Sequence, residues 1–245
     1  MIRILFVLCS LLPFTLFAQS DISIGINYGH QQDLDKEFNL DQNVYSRFQV
    51  HKDYYGVNLS YNPLKRLNMV SELGVSVYTP EIQFANYVLT NINTASLQST
   101  YLYLQQQIGY DVLYMPEFSD YLGIRLTPFV QIKYEQSIGG RTRERGIEDL
   151  TGTEATALIQ TYDMPAINYQ AKAPVNTMSL TPGISLEVNV VERLGFNVAF
   201  GYQFGLFGHS KFDVNYRYTG KQTSETIFKS KDRGIYLSGG LRYYL

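Results

Sequence analysis

The chain has no tryptophan, a single cysteine (Cys9) and no long apolar run. One cysteine excludes a disulfide framework and a cysteine-based metal site. The longest apolar stretch, Ile4 to Phe17, falls short of the roughly 20 residues a spanning helix needs, which excludes a helical membrane anchor. Charge is scarce too, at 17% of residues against about 25% in ordinary globular domains. Twenty basic and 22 acidic side chains leave a net charge of −2, so nucleic acid is excluded as a partner. Aromatic residues are plentiful, with 21 Tyr and 14 Phe among 245 residues. That content excludes disorder over most of the chain, and the length suffices for one domain with a core.

Residues 1–18 read as an export signal. Arg3 supplies the positive start, Ile4 to Phe17 the apolar segment, and Ala18 a small residue for cleavage before Gln19. Cys9 follows Leu8 rather than a small residue, which argues against lipid attachment there. The expected organisation is a signal peptide at 1–18 and one domain at 19–245.

From residue 22 onward the dominant pattern is period-2 alternation. Ile22, Ile24, Ile26 and Tyr28 alternate with Ser23, Gly25, Asn27 and Gly29. The same pattern recurs around Tyr55–Tyr61, Leu73–Val77, Leu102–Tyr110, Leu122–Tyr134, Leu180–Val190, Phe196–Leu206 and Ile235–Leu245, with Gln106 the one polar residue on an apolar face. Successive strand side chains point to opposite faces, so these are eight strands with one apolar and one small or polar face. Their connections alternate: long near 31–47, short at 62–66, long near 79–99, short at 115–119, long near 137–175, short at 191–195, long near 208–233. A short helix within 154–160 is an expectation for the longest of them.

A soluble barrel turns its apolar face inward, and a membrane barrel turns it to lipid. Here the non-apolar faces are rich in Gly, Ser and Asn rather than in the long charged residues of a water-facing surface. Small residues suit the narrow interior of eight strands. The apolar faces carry no charge, and one placed at mid-membrane would cost about 2–4 kcal/mol. Tyr28, Tyr61, Tyr78, Tyr101, Tyr110, Tyr114, Tyr121, Tyr134, Tyr243 and Tyr244 cluster near strand ends, as in an interfacial girdle. Long loops after odd strands and short turns after even ones put both termini on the short-turn side, the arrangement of outer-membrane barrels. The expectation is an all-β, eight-stranded antiparallel up-and-down transmembrane β-barrel in the cell outer membrane. A soluble periplasmic barrel and a ten-stranded barrel are the competing architectures.

The final strand, Tyr236 to Leu245, places Leu237, Leu241, Tyr243 and Leu245 at alternating positions. In this the chain resembles small eight-stranded outer-membrane proteins of the OmpA membrane-domain and OmpX class, over about residues 22–245. That class ends on an aromatic residue where this chain has Leu245. The resemblance implies recognition of the last strand by the barrel-insertion machinery, and it implies no specific activity.

Candidate sites follow from the topology. Glu72, Arg125, Lys133, Glu187 and Arg242 fall on the interior faces, where buried charges need partners, so a structural charge network across the lumen is expected. Phe129, Tyr236 and Tyr244 should occupy the lumen with them. His30, His51 and His209 fall on the outer rim. His209-Ser210 with Asp33 or Asp53 imitates a nucleophile set, but nothing in the spacing brings these residues together, and tight metal-ligand spacing is absent. The run Arg141-Thr142-Arg143-Glu144-Arg145 lies in the longest loop, balanced by Glu148 and Asp149. Phe212, Val214, Tyr216 and Tyr218 alternate again, and Thr226-Ile227-Phe228 can return beside them as an outward hairpin. The expected function is non-enzymatic, with no cofactor and no metal: membrane integrity, adhesion or partner binding through the long loops. Outer-membrane lipid, lipopolysaccharide and an extracellular protein are the expected partners. The alternatives are a lipid A-modifying enzyme and a narrow channel.

Overall fold

The computed structural model describes residues 22–33, 36–41, 44–64, 66–86, 91–96, 98–119, 122–139, 142–146, 166–172, 174–191, 193–208, 210–218, 221–230 and 233–245. The expected signal peptide, the expected helix at 154–160, Tyr121 and His209 lie outside these residues. Among the described residues the regular structure is all strand.

Eight strands form one closed ring: β1 (Ile22–Asp33), β2 (Val44–Leu64), β3 (Leu67–Asn86), β4 (Ser99–Tyr110), β5 (Leu122–Gly139), β6 (Asn176–Val191), β7 (Leu194–Phe207) and β8 (Gly234–Tyr244). Each pairs antiparallel with its chain neighbours. The pairing of β1 with β8, Ile26 opposite Leu241, closes the circle. Closure leaves no free barrel edge, as a lipid environment requires.

The alternation read in the sequence is the in–out alternation of the wall. Along β8, Tyr236, Ser238 and Arg242 are buried, whereas Ile235, Leu237 and Leu241 are exposed. Leu241, Ile26, Val57, Leu73 and Leu104 are successive cross-strand partners round the outside from β8 to β4. Val57 is 57% exposed and Ile26 60%. In water so continuous an apolar band would be an aggregation surface; against acyl chains it is matched. At its polar interruption, Ser71 and Gln106 are cross-strand partners, and Ser71 Oγ donates to Gln106 Oε1 at 2.9 Å.

The short connections gather at one end and the long ones at the other. β2 and β3 run 21 and 20 residues, about twice what a tilted strand needs to cross a bilayer. They continue into the long-loop side with Lys36–Asp41 paired on β2 and Asn91–Ser96 on β3. These segments read as loops in the sequence because their alternation is weak. The 115–119 turn is instead part of a strand, Leu113–Ser119, folded onto the start of β5. Pro128 has no N–H for the ladder, and the pairing of β4 with β5 ends beside it at Phe129. The hairpin expected in the last loop is present as Ser210–Tyr218 paired with Lys221–Ser230. It belongs to a separate four-stranded sheet, completed by Ala166–Lys172 and Thr142–Gly146 from the β5–β6 connection. The barrel count is therefore eight, not ten.

Glycine is required where rings lie on the wall. Gly56 and Gly74 are cross-strand partners on β2 and β3. A Cβ on Gly74 would lie 2.1 Å from the Tyr55 carbonyl oxygen and 2.7 Å from Tyr103 Cζ. Gly74→Ala should therefore destabilise the barrel by about 1–3 kcal/mol, read as a lower urea midpoint for the folded band on cold SDS gels.

Candidate functional site

Eight strands enclose a narrow interior, and a charge buried there needs partners. The lumen buries eight charged residues among those described: Lys52, Arg125, Lys133 and Arg242 against Glu72, Asp111, Glu135 and Glu187. The two signs balance, four against four. They lie in three tiers.

At the long-loop end, Lys52 on β2 and Glu135 on β5 form a fully buried ion pair. Glu135 also accepts from Ser76 Oγ on β3 at 2.7 Å and from Thr177 Oγ1 on β6 at 2.6 Å. One carboxylate thus ties four strands. The Lys52 ammonium lies 5.4 and 5.5 Å from the rings of Tyr78 and Tyr101.

The middle tier is aromatic. Tyr54, Tyr103 and Tyr236 form a buried cluster with edge-on contacts of 5.7 and 5.9 Å. Lys133 Nζ sits 3.2 Å from the Tyr54 ring centroid. Tyr54 donates to Gln31 Oε1 at 2.6 Å, and Tyr103 donates to Glu72. Glu72 also accepts from Asn27 Nδ2 at 3.1 Å.

At the short-turn end, Glu187 accepts from both Arg242 and Tyr244. Arg125 Nε stands 3.3 Å from Asp111 Oδ2, and Thr127 Oγ1 donates to the other Asp111 oxygen at 2.6 Å. Between this tier and the middle one is a cavity of about 10 Å³, lined by Asn27, Asn58, Glu72, Gln105, Asn197 and Arg242. That volume is the size of about one water molecule. Phe129, Tyr236 and Tyr244 share the interior with these charges, and Phe129 is buried.

The five charges singled out in the sequence are all interior, but they do not form one group. Glu187 and Arg242 pair directly. Glu72 meets Tyr103 and Asn27, Arg125 meets Asp111, and Lys133 meets tyrosines. Sequence reasoning missed Lys52, Asp111 and Glu135. Lys52 continues the Gly56–Tyr54 face by one step and Glu135 follows Lys133 by one step, so longer strands would have found both. Tyr78, Tyr101 and Tyr244 correct the girdle expectation, since they face inward, where Lys52 and Glu187 hold them. Tyr28, Tyr110 and Tyr243 are exposed on the outer face.

On the outer rim, His30 Nδ1 lies 2.8 Å from Asp53 Oδ1, and the Tyr28 hydroxyl donates to the same oxygen at 2.9 Å. His51 stacks on His30 with ring centroids 5.9 Å apart. No three His, Cys, Asp or Glu residues gather as metal ligands among the described residues. Of the basic run at 141–145, Thr142–Gly146 is an edge strand of the outer sheet.

No known protein family and no curated protein matches the chain. Its fold is similar to that of several solved structures. The outer membrane protein OprG from Pseudomonas aeruginosa is 10% identical, with a TM-score of 0.49 over 92% of this chain and 96% of that one. The transport unit of the autotransporter AIDA-I from Escherichia coli is 9% identical (TM-score 0.38, covering 93% and 91%). The outer membrane protease OmpT from Escherichia coli is 12% identical (TM-score 0.35, covering 92% and 96%). These are likenesses of fold. On its own ring closure, apolar exterior and polar interior, the chain is an eight-stranded antiparallel β-barrel of the outer-membrane type.

Proposed function

We propose that this is a non-enzymatic surface protein whose barrel is a rigid membrane anchor and whose outer strands bind a partner. The observation that carries the reading is a division of labour within the chain. The lumen is filled by a charge-balanced side-chain network, while the connections after β5 and β7 fold together into a second sheet on the long-loop side. A filled lumen supports anchoring rather than passage. Ordered external strands supply the surface for adhesion or for a protein or lipopolysaccharide partner. β8 is the proposed contact with the insertion machinery.

Trimming tests this directly. Replacing residues 141–173 and 209–232 by short turns should leave a barrel that still inserts and still shifts on SDS gels when boiled. Adhesion of producing cells to one another and to solid surfaces should fall several-fold. Unchanged adhesion with the trimmed protein at equal surface abundance would remove the outer sheet from the account. In planar bilayers the full chain should give no discrete conductance steps; regular steps would favour the channel instead.

A further inference from the structure

Lys133 is held in a form of cage that proteins use for organic cations. Its ammonium lies 3.2, 4.9 and 5.6 Å from the ring centroids of Tyr54, Tyr236 and Tyr103. All three distances fall within the roughly 6 Å over which a ring attracts a cation. The rings come from β2, β8 and β4 and the lysine from β5, so the contact gathers four of the eight strands.

The cage is set by groups other than the lysine. The Tyr54 hydroxyl donates to Gln31 on β1 at 2.6 Å and lies 3.5 Å from Gln203 on β7. The Tyr103 hydroxyl is fixed on Glu72. The Tyr103 ring lies on the glycine wall of Gly56 and Gly74, where any side chain would collide with it. Each ring is 1% exposed and Lys133 0%, so the site is closed off from bulk solvent. Desolvation is the condition under which a cation over a ring gains most.

We infer that Tyr54, Tyr103 and Tyr236 form a binding site for a small alkylammonium ion, which the chain fills with its own Lys133 as a tethered ligand. The barrel is filled at mid-height by three packed rings and an internal cation together. Removing the ammonium therefore leaves a preformed site that takes an exogenous one. The inference stands on the lumen alone and is independent of what the outer sheet binds.

The test uses the full chain refolded from urea into detergent micelles, with butylammonium chloride or sodium chloride at equal ionic strength. The readout is the rate at which the folded band converts to the unfolded band at a fixed temperature. Lys133→Ala should convert at least about tenfold faster than the natural chain in sodium chloride. Butylammonium should restore much of that loss in Lys133→Ala and leave the natural chain and Lys133→Met unchanged. An equal response of all three proteins, or no response of Lys133→Ala, overturns the inference. A second reading does not depend on Lys133→Ala folding. Tyr236→Leu should accelerate conversion more in the natural background than in Lys133→Met. Equal acceleration in both means that the ring and the ammonium do not interact, and the cage is not a cation site.

Discussion

Glu135→Leu should cost the folded barrel about 3–5 kcal/mol, the largest effect expected of any single change in the lumen. The substitution leaves the Lys52 charge buried without its carboxylate. It also strips Ser76 and Thr177 of their acceptor. The two hydroxyls left without their acceptor are part of that cost. The double variant Lys52→Met/Glu135→Leu removes both charges together and replaces them with apolar bulk. It should lie closer to the natural chain than Glu135→Leu alone, because an apolar replacement of a buried pair is often neutral. Urea titration of the folded band reads all three. A double variant weaker than Glu135→Leu would mean that the pair is held for its attraction and not for its mutual neutralisation.

The second large effect lies on the other side of the wall. Val57→Arg should cost about 2–4 kcal/mol in lipid, because Val57 sits in the apolar row between Ile26 and Leu73. The neighbouring position gives the control. Asn58 faces the lumen beside the one-water cavity, among polar groups. Asn58→Ser should therefore cost much less than Val57→Arg, although the two residues are adjacent. Refolding into bilayers at graded urea measures both. If Val57→Arg is tolerated as well as Asn58→Ser, the outer face does not meet lipid.

The barrel was legible in the sequence because lipid permits no alternative pairing. Each spanning strand must show a largely apolar face, so Ile22–Tyr28 or Phe196–Leu206 announces both its strand and its orientation. The extensions beyond the bilayer carry no such requirement. Lys36–Asp41 and Asn91–Ser96 pair with long neighbours and leave little hydrophobic period in the sequence. The lumen was half legible for a related reason. Interior position follows from parity, so Glu72, Arg125, Lys133, Glu187 and Arg242 could be placed inside. Partnership depends on strand stagger, which brings Lys52 to Glu135 across 83 residues. Parity also places Tyr78 and Tyr101 inside, since each adjoins an outward residue, Val77 and Leu102. An interfacial preference inferred from residue type alone misassigned them.

The central claim is that this barrel is inside-out, with its apolar face to lipid and its charges within. Nitroxide scanning of positions 55–60 on β2, one label at a time in a Cys9→Ser background reconstituted into bilayers, tests it most directly. The account predicts a period of two in collision with dissolved oxygen: high at Tyr55, Val57 and Leu59, low at Gly56, Asn58 and Ser60. It also predicts little collision with a water-soluble nickel reagent at the odd positions. Strong nickel collisions at Tyr55, Val57 and Leu59 would put that face in water and contradict the account.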